Sequence, residues 1–373
     1  MSTLPIIPRR PTVSELPPPP AGKTGWPWTE ECVPLPATMA DGAAWPRVTI
    51  ITPSFNQAPY LEETLRSILL QGYPNLEHIV IDGGSTDESV PIIRKYESWL
   101  AYWISERDRG HIDALNKGLA KSSGAIWAFL NSDDTYLRNA IRAAVTALVS
   151  RPPAVAVCGG ELFIDRDGMV IEEHLVKTVT IHTLLQMNFV PQPAVFLWRS
   201  AFERTGGWDA SFPLSFDFEL WTRLVQLGEI YCIPEVLATT RWHHTTKTAS
   251  QRTKIYPENV RAVQQVLACP VGSSISTSER RTIEAALDLL AVSIYSERFP
   301  QNVLAILFHS FHAIIRSPRM VRELAHTLRV RLRVILAYHL KGYKRKGLAL
   351  SPWGFANTGI HWSQWRSHVS SEQ

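Results

Sequence analysis

Asn131-Ser132-Asp133-Asp134 places two adjacent carboxylates directly after the apolar run Ala125–Leu130. The run shows no polar alternation, so it reads as a central strand covered on both faces. Ligands of open α/β sheets bind beyond the carboxyl ends of the strands. Two carboxylates in that position are costly unless something positive shares the site. A hard divalent cation, Mg²⁺ or Mn²⁺, meets the need, because it takes few protein carboxylates and leaves positions for phosphate oxygens. Elsewhere an Asp-Asp pair in a turn is a solvated loop; here its place after a buried strand selects the metal.

Three other groups of residues could do chemistry. Thr52-Pro53-Ser54-Phe55-Asn56 follows a β-branched run and forms a turn, either a plain loop or one whose backbone faces a ligand. Asp82-Gly83-Gly84-Ser85 follows a second strand, where Asp82 can cap the turn or accept from a nucleobase N–H or a ribose hydroxyl. No GxGxxG is present, so a dinucleotide site of the dehydrogenase type is not supported. Asp217 stands where a loop enters an amphipathic helix, a place that suits an N-cap and a catalytic carboxylate alike.

The elements that position these residues alternate. Strands are predicted at 48–52, 78–81, 125–130 and 154–158, with helices at 59–71, 112–121 and 137–149. Ser85-Thr86-Asp87-Glu88 reads as a capping box opening a further helix that carries Ile92, Ile93 and Tyr96. Repeated βα units imply an α/β fold with a mostly parallel central sheet flanked by helices. Short strands near 194–197 and 230–233 enclose a helix over 218–227. Beyond Tyr256 the chain reads as helices at 259–267, 278–295, 302–315 and 320–339.

Of the 26 prolines in 373 residues, eleven lie before Arg47. Residues 1–46 are therefore expected as a leader without helix or sheet, disordered or draped over the core on Trp26, Trp28 and Trp45. Residues 47–255 form the expected α/β domain, 256–345 a basic helical region and 346–373 a tail. The net charge of +4 conceals a local excess: residues 301–350 hold ten Lys or Arg against one acid, Glu323. Interleaved with Leu, Ile, Val and Phe, these cations suit an amphipathic helix on an anionic membrane, or a helical cap with a solvated face. No nucleic-acid recognition motif accompanies them. The four cysteines are dispersed and read as reduced, buried thiols of a cytosolic protein. No stretch reaches the length of a membrane span, and Val303–Ile315, the nearest, is interrupted by His309, Ser310 and His312.

Taken in order, these motifs resemble family 2 glycosyltransferases. Thr49-Ile-Ile-Thr-Pro-Ser-Phe-Asn56, Val80-Ile-Asp-Gly-Gly-Ser-Thr-Asp87, Arg109-Gly-His-Ile-Asp-Ala-Leu-Asn-Lys-Gly118 and Phe129-Leu-Asn-Ser-Asp-Asp134 are similar to the donor-side segments. Pro191–Phe196, Gly206-Gly-Trp-Asp209 and Asp217–Arg223 are similar to the acceptor-side segments. The resemblance covers about residues 47–248 and implies a GT-A fold and inversion at the anomeric carbon. It implies a nucleotide-sugar donor, a UDP-sugar foremost, and a glycan or lipid-linked acceptor. The implied setting is bacterial surface polysaccharide assembly, in the cytoplasm or peripherally on the inner face of the membrane.

By the same resemblance Pro53, Ser54, Asp82, Asp113, Asn116 and Asp133 serve the donor, and Asp134 and His244 the Mn²⁺ or Mg²⁺, with His243 competing for the latter role. Asp217 is the implied general base. Two positions depart from the commoner pattern. Asn131 stands where an Asp is usual, which leaves metal ligation chiefly to Asp134, and Gly83 replaces a second Asp. The rival readings are a nucleotidyltransferase of related fold, which lacks its basic, Gly-rich loop here, and a non-catalytic nucleotide-sugar binder.

Overall fold

The computed structural model describes residues 10–187, 189–242, 246, 250–296, 302–329 and 361–364. The first half builds the parallel ladder that the βα repeats imply. β1 (Val48–Ser54) pairs in parallel with β2 (Leu76–Asp82) and β4 (Ile126–Phe129), and β2 pairs with β3 (Tyr102–Ser105). Helices α1 (Ala58–Leu69), α2 (Ser89–Tyr96) and α3 (His111–Lys121) make the connections. β4 is buried on both faces, as its unbroken apolar pattern requires. Trp127 and Phe129 enter one hydrophobic cluster, while Ile126 and Ala128 enter another.

The second half continues the same sheet in the order β3-β2-β1-β4-β8-β6-β9-β5. It comprises β5 (Thr135–Tyr136), α4 (Ala140–Ser150), β6 (Ala156–Ile164), β7 (Val170–His174), α5 (Ile181–Leu185), β8 (Val195–Trp198), α6 (Arg199–Arg204), α7 (Phe216–Leu224) and β9 (Ile230–Arg241). β6 and β9 run in parallel, β8 is antiparallel to both of its neighbours, and β7 hangs from β6 as a hairpin. Two expected short strands are longer than their sequences suggest. β6 runs on through Gly159-Gly160, and β9 passes Pro234-Glu235 to reach Arg241.

The capping box expected at Ser85–Glu88 does not form. Helix α2 has Glu88 at its N-cap with no side-chain cap bond. Ser85 is drawn away instead: its backbone N and Oγ both donate to Asp82. Asp87 accepts from Ser89 N and, across the loop, from Ala58 N at 3.0 Å each.

Residues 10–46 follow the draped alternative. Trp26, Trp28 and Trp45 are buried, and Trp26 Nε1 donates to Tyr136 O at 3.0 Å. The fastening point is Arg66, fully buried on α1, which donates to Pro17 O (2.9 Å), Pro27 O (3.0 Å) and Trp28 O (2.6 Å). Arg66→Ala would leave these carbonyls unsatisfied at about 1–3 kcal/mol each where water does not replace the guanidinium. The expected outcome is a loss of at least about 3 kcal/mol in urea unfolding, with early proteolytic cleavage before Arg47. Unchanged stability would mean that the segment is not fastened there.

The cysteines are free, but only Cys32 and Cys158 are buried. Cys232 is half-buried and Cys269, the C-cap of helix α8 (Arg252–Ala268), is exposed, which corrects the expectation of four buried thiols. Helices α9 (Thr277–Tyr295) and α10 (Val303–Arg316) follow, and α9 packs on both α8 and α10. Among the described residues, no helix is long and apolar enough to cross a membrane.

Candidate active site

Register brings Ser54 and Asp82, two of the residues expected to serve a donor, to one edge. Ser54 pairs with Asp82 across β1 and β2, and Asp82 with Ser105 across β2 and β3. Strand order reverses between β1 and β4, so the crevice beyond their carboxyl ends is where the topology expects a ligand. Pro53, Ser54 and Asp82 are buried at this edge, and Ser54 Oγ has no hydrogen-bond partner.

Asp82 is heavily engaged. Its Oδ2 accepts from Gly84 N (3.1 Å), Ser85 N (2.8 Å) and Ser105 Oγ (2.7 Å), and its Oδ1 from Ser85 Oγ at 2.5 Å. The turn-capping reading of Asp82 therefore holds, and a ligand would meet a carboxylate fixed in advance. Gly83 has a structural reason: a Cβ there would lie 2.7 Å from Asp108 Oδ2, so the usual second Asp has no room. The loops after β1 and β2 are tied together by Ser85 Oγ, which accepts from Asn56 N at 2.7 Å, and by Asn56 Oδ1, which accepts from Thr86 N at 2.9 Å.

On α3, Asp113 accepts from Arg109 N (3.1 Å) and Nη2 (3.2 Å) and lies 3.5 Å from Lys117 Nζ. The Arg109 backbone bond leads in holding its carboxyl below the usual range. Asn116, on the same helix, is exposed. Asp113 thus has partners of its own in the loop before α3.

The acid pair sits just past β4. Asp134 is buried; its Oδ1 accepts from Arg241 N (2.8 Å) and its Oδ2 from Asn131 Nδ2 (3.1 Å). Asp133 is half-buried, and its carbonyl accepts from Arg241 Nε at 2.9 Å. The Arg241 guanidinium is spent elsewhere, on Glu63 Oε2 at 2.7 Å and on the carbonyls of Asp165 and Arg166. Burial first, and the Asp133 charge second, push the Asp134 carboxyl well above its ordinary range.

Asn131 now has a role that Asp could not fill, since it donates to Asp134 and, at 3.3 Å, to Gln192 Oε1. Its own Oδ1 is buried without a partner. A buried carboxylate, a second beside it and an orphaned amide oxygen fit a hard cation. Among the described residues no three His, Cys, Asp or Glu side chains form a ready metal cage. His243 and His244, expected near that ion, lie outside the described residues.

Asp217 is the second residue of α7, not its N-cap; that place belongs to Ser215. An aromatic bridge sets its position. Phe216 lies 5.9 Å from Phe129, the last residue of β4, and 5.1 Å from Trp208, ring centroid to centroid. The helix carrying Asp217 is thereby seated against the strand that leads to Asp134. Asp217 is half-buried and accepts from Phe218 N at 2.8 Å. Burial raises its carboxyl to about 6, with smaller contributions from the charges of Glu161 and Glu258. A carboxylate poised there is suited to take a proton near neutral pH.

Glu161 is the residue that sequence reasoning missed. Buried on β6, it accepts from Thr240 Oγ1 and sits 3.2 Å from His174 Nδ1. Its charge adds a small upward push to the carboxyls of both Asp134 and Asp217. No local pattern signals it, because its partners lie 13 and 79 residues away.

With this geometry in place, relatives can be compared. Residues 49–192 match the model of glycosyl transferase family 2. An uncharacterized glycosyltransferase of Mycobacterium tuberculosis is 35% identical over 198 residues, covering 52% of this chain and 74% of the relative. The putative teichuronic acid biosynthesis glycosyltransferase TuaG of Bacillus subtilis is 30% identical over 166 residues, 43% of this chain and 64% of TuaG. Among solved structures, S. aureus TarS 1-349 in complex with UDP-GlcNAc superposes with a TM-score of 0.54 at 14% identity, covering 80% of this chain and 92% of that one. The fold is therefore of the GT-A type, a mostly parallel α/β sheet flanked by helices with a helical C-terminal region. The chain belongs to glycosyl transferase family 2, and it is a glycosyltransferase.

Proposed function

We propose that the enzyme transfers a sugar, with inversion, from a UDP-sugar to a hydroxyl of a glycan or lipid-linked acceptor. The setting we propose is cell-surface polysaccharide assembly at the inner face of the membrane. The observation that supports this reading is the Phe216–Phe129 ring contact at 5.9 Å, which seats the helix bearing Asp217, its carboxyl raised to about 6, against the strand that leads to Asp134. The UDP-GlcNAc bound by TarS and the teichuronic acid role in the name of TuaG support the choice of donor and pathway class.

In this reading Pro53, Ser54 and Asp82 line the nucleoside pocket, and Asp113 and Asn116 flank the donor from α3. Asp134, with Asp133 and the Asn131 amide oxygen beside it, would hold Mn²⁺ or Mg²⁺. Such an ion neutralises the diphosphate so that it can leave. Asp217 accepts the proton of the attacking hydroxyl, on the face of the sugar opposite the leaving group. Its raised carboxyl is charged at neutral pH and still basic enough to share that proton in the transition state.

A hydrolysis screen across nucleotide sugars with Mn²⁺ tests the proposal without knowledge of the acceptor. Slow turnover of a UDP-sugar is expected. Neither turnover nor binding of any donor would sink it.

A further inference from the structure

Helix α10 (Val303–Arg316) is apolar on two opposite sides. Ile306 and Ala313 face inward; Ile306 packs with Val292 of α9 and with Leu324. His309 is tied down at 2.7 Å from Asp288 Oδ1, and Arg316 is paired with Glu284 and Asp288. The polar residues that interrupt the run in sequence thus include one that serves the inner contact. The other side is open: Leu304 is 84% exposed, Leu307 60%, Phe308 56%, Phe311 63% and Ile315 61%. At 100° per residue these five fall within an arc of about 100°, a continuous strip along the helix. A surface helix needs only one apolar face, so a second one of this size signals a nonaqueous partner.

The surroundings of the strip say which partner. Arg319, Arg322 and Arg329 follow it, all exposed, with Glu323 the one acid in residues 301–350. Six more Lys or Arg occur between Arg331 and Lys346 in the sequence. At 14 residues α10 is too short to cross a bilayer. A short helix with a bulky apolar strip and neighbouring cations suits the plane of an anionic lipid surface, where side chains enter the acyl boundary and cations meet phosphates. The strip is coupled to the catalytic half by packing, since α10 lies on α9, α9 on α8, and α8 on α7, which carries Asp217.

We infer that the Leu304–Ile315 strip of α10 is a membrane-docking surface that inserts into an anionic lipid leaflet. This deepens the membrane setting proposed above and depends on that reading only for its biological use, because the binding needs neither donor nor turnover.

The test is co-sedimentation of the full chain with vesicles of equal parts phosphatidylglycerol and phosphatidylcholine, against phosphatidylcholine alone. Binding is expected only to the anionic vesicles, weakening about tenfold or more as salt rises from low to several hundred millimolar. Phe308→Glu with Phe311→Glu, both at exposed positions, should abolish it while donor hydrolysis in the absence of vesicles is unchanged. Arg319→Glu with Arg322→Glu should weaken it. No binding to anionic vesicles, or binding that ignores the two Phe substitutions, overturns the inference. A dimer in sedimentation velocity that the Phe substitutions convert to monomer, with no vesicle binding, also overturns it and assigns the strip to a second copy of the chain. Donor turnover is read separately, so neither result touches the catalytic reading.

Discussion

Asp217→Asn is expected to lower transfer roughly 100- to 10,000-fold, the range typical of a lost general base, while leaving donor affinity nearly unchanged. The amide retains the acceptor for Phe218 N but cannot take the proton of the attacking hydroxyl. Stability should move the opposite way. The folded carboxyl stands at about 6 against an ordinary 3.8, so the native state disfavours the charge. That penalty is absent below pH ~4, grows as pH rises, and is complete above about 6. Removing the charge at neutral pH should therefore stabilise the fold by about 1–3 kcal/mol, since each tenfold change in proton affinity is worth about 1.4 kcal/mol and the group is only half-buried. A higher Tm with lost transfer is the signature of a group strained for function.

The pH profile supplies an independent arm. In the wild type, transfer should fall as pH drops through about 6, because the base becomes protonated. The charged groups raising Asp217 are Glu161, from β6, and Glu258, from α8. Glu161→Gln removes one of them and should move the acid limb to lower pH. A limb that stays in place would mean that Glu161 does not act on the base.

Asp134→Asn should separate metal from fold just as sharply. Donor turnover is expected to fall roughly a thousandfold, since a metal supplies several kcal/mol of charge stabilisation at a leaving diphosphate. The rise in Tm produced by saturating Mn²⁺ should disappear with it. Without metal, the variant should be more stable than the wild type at neutral pH. The carboxyl removed is one whose charged form burial and the Asp133 charge disfavour, and the Asn131 amide can turn its unpartnered oxygen toward the new amide. If the Mn²⁺-dependent rise in Tm survives the substitution, Asp134 is not the ligand.

The proposed donor half of this site was legible in the sequence because its residues end short, contiguous strands. Ser54, Asp82 and Asp134 each follow an apolar run, and parallel pairing brings the ends of such runs to one edge. Asp217 was legible as a carboxylate in the first turn of a helix, though its place two residues past the N-cap was not. Long-range polar pairing left no trace. Glu161 looks like one more acid after a glycine pair, and only the hairpin and β9 deliver His174 and Thr240 to it. Local competition misled at Ser85, where a buried Asp82 outbids the helix terminus. The Pro-rich segment looked formless because composition does not record that three of its carbonyls converge on one arginine.

The most direct test of the site as a whole is the anomeric configuration of its product. Proton NMR of the sugar released from an α-linked nucleotide sugar, recorded before the anomers interconvert, should show the β-anomer first. That result requires attack from the face opposite the diphosphate, where Asp217 is assigned as base. Release of the α-anomer would contradict the assignment of Asp134 and Asp217 to opposite sides of the reacting carbon.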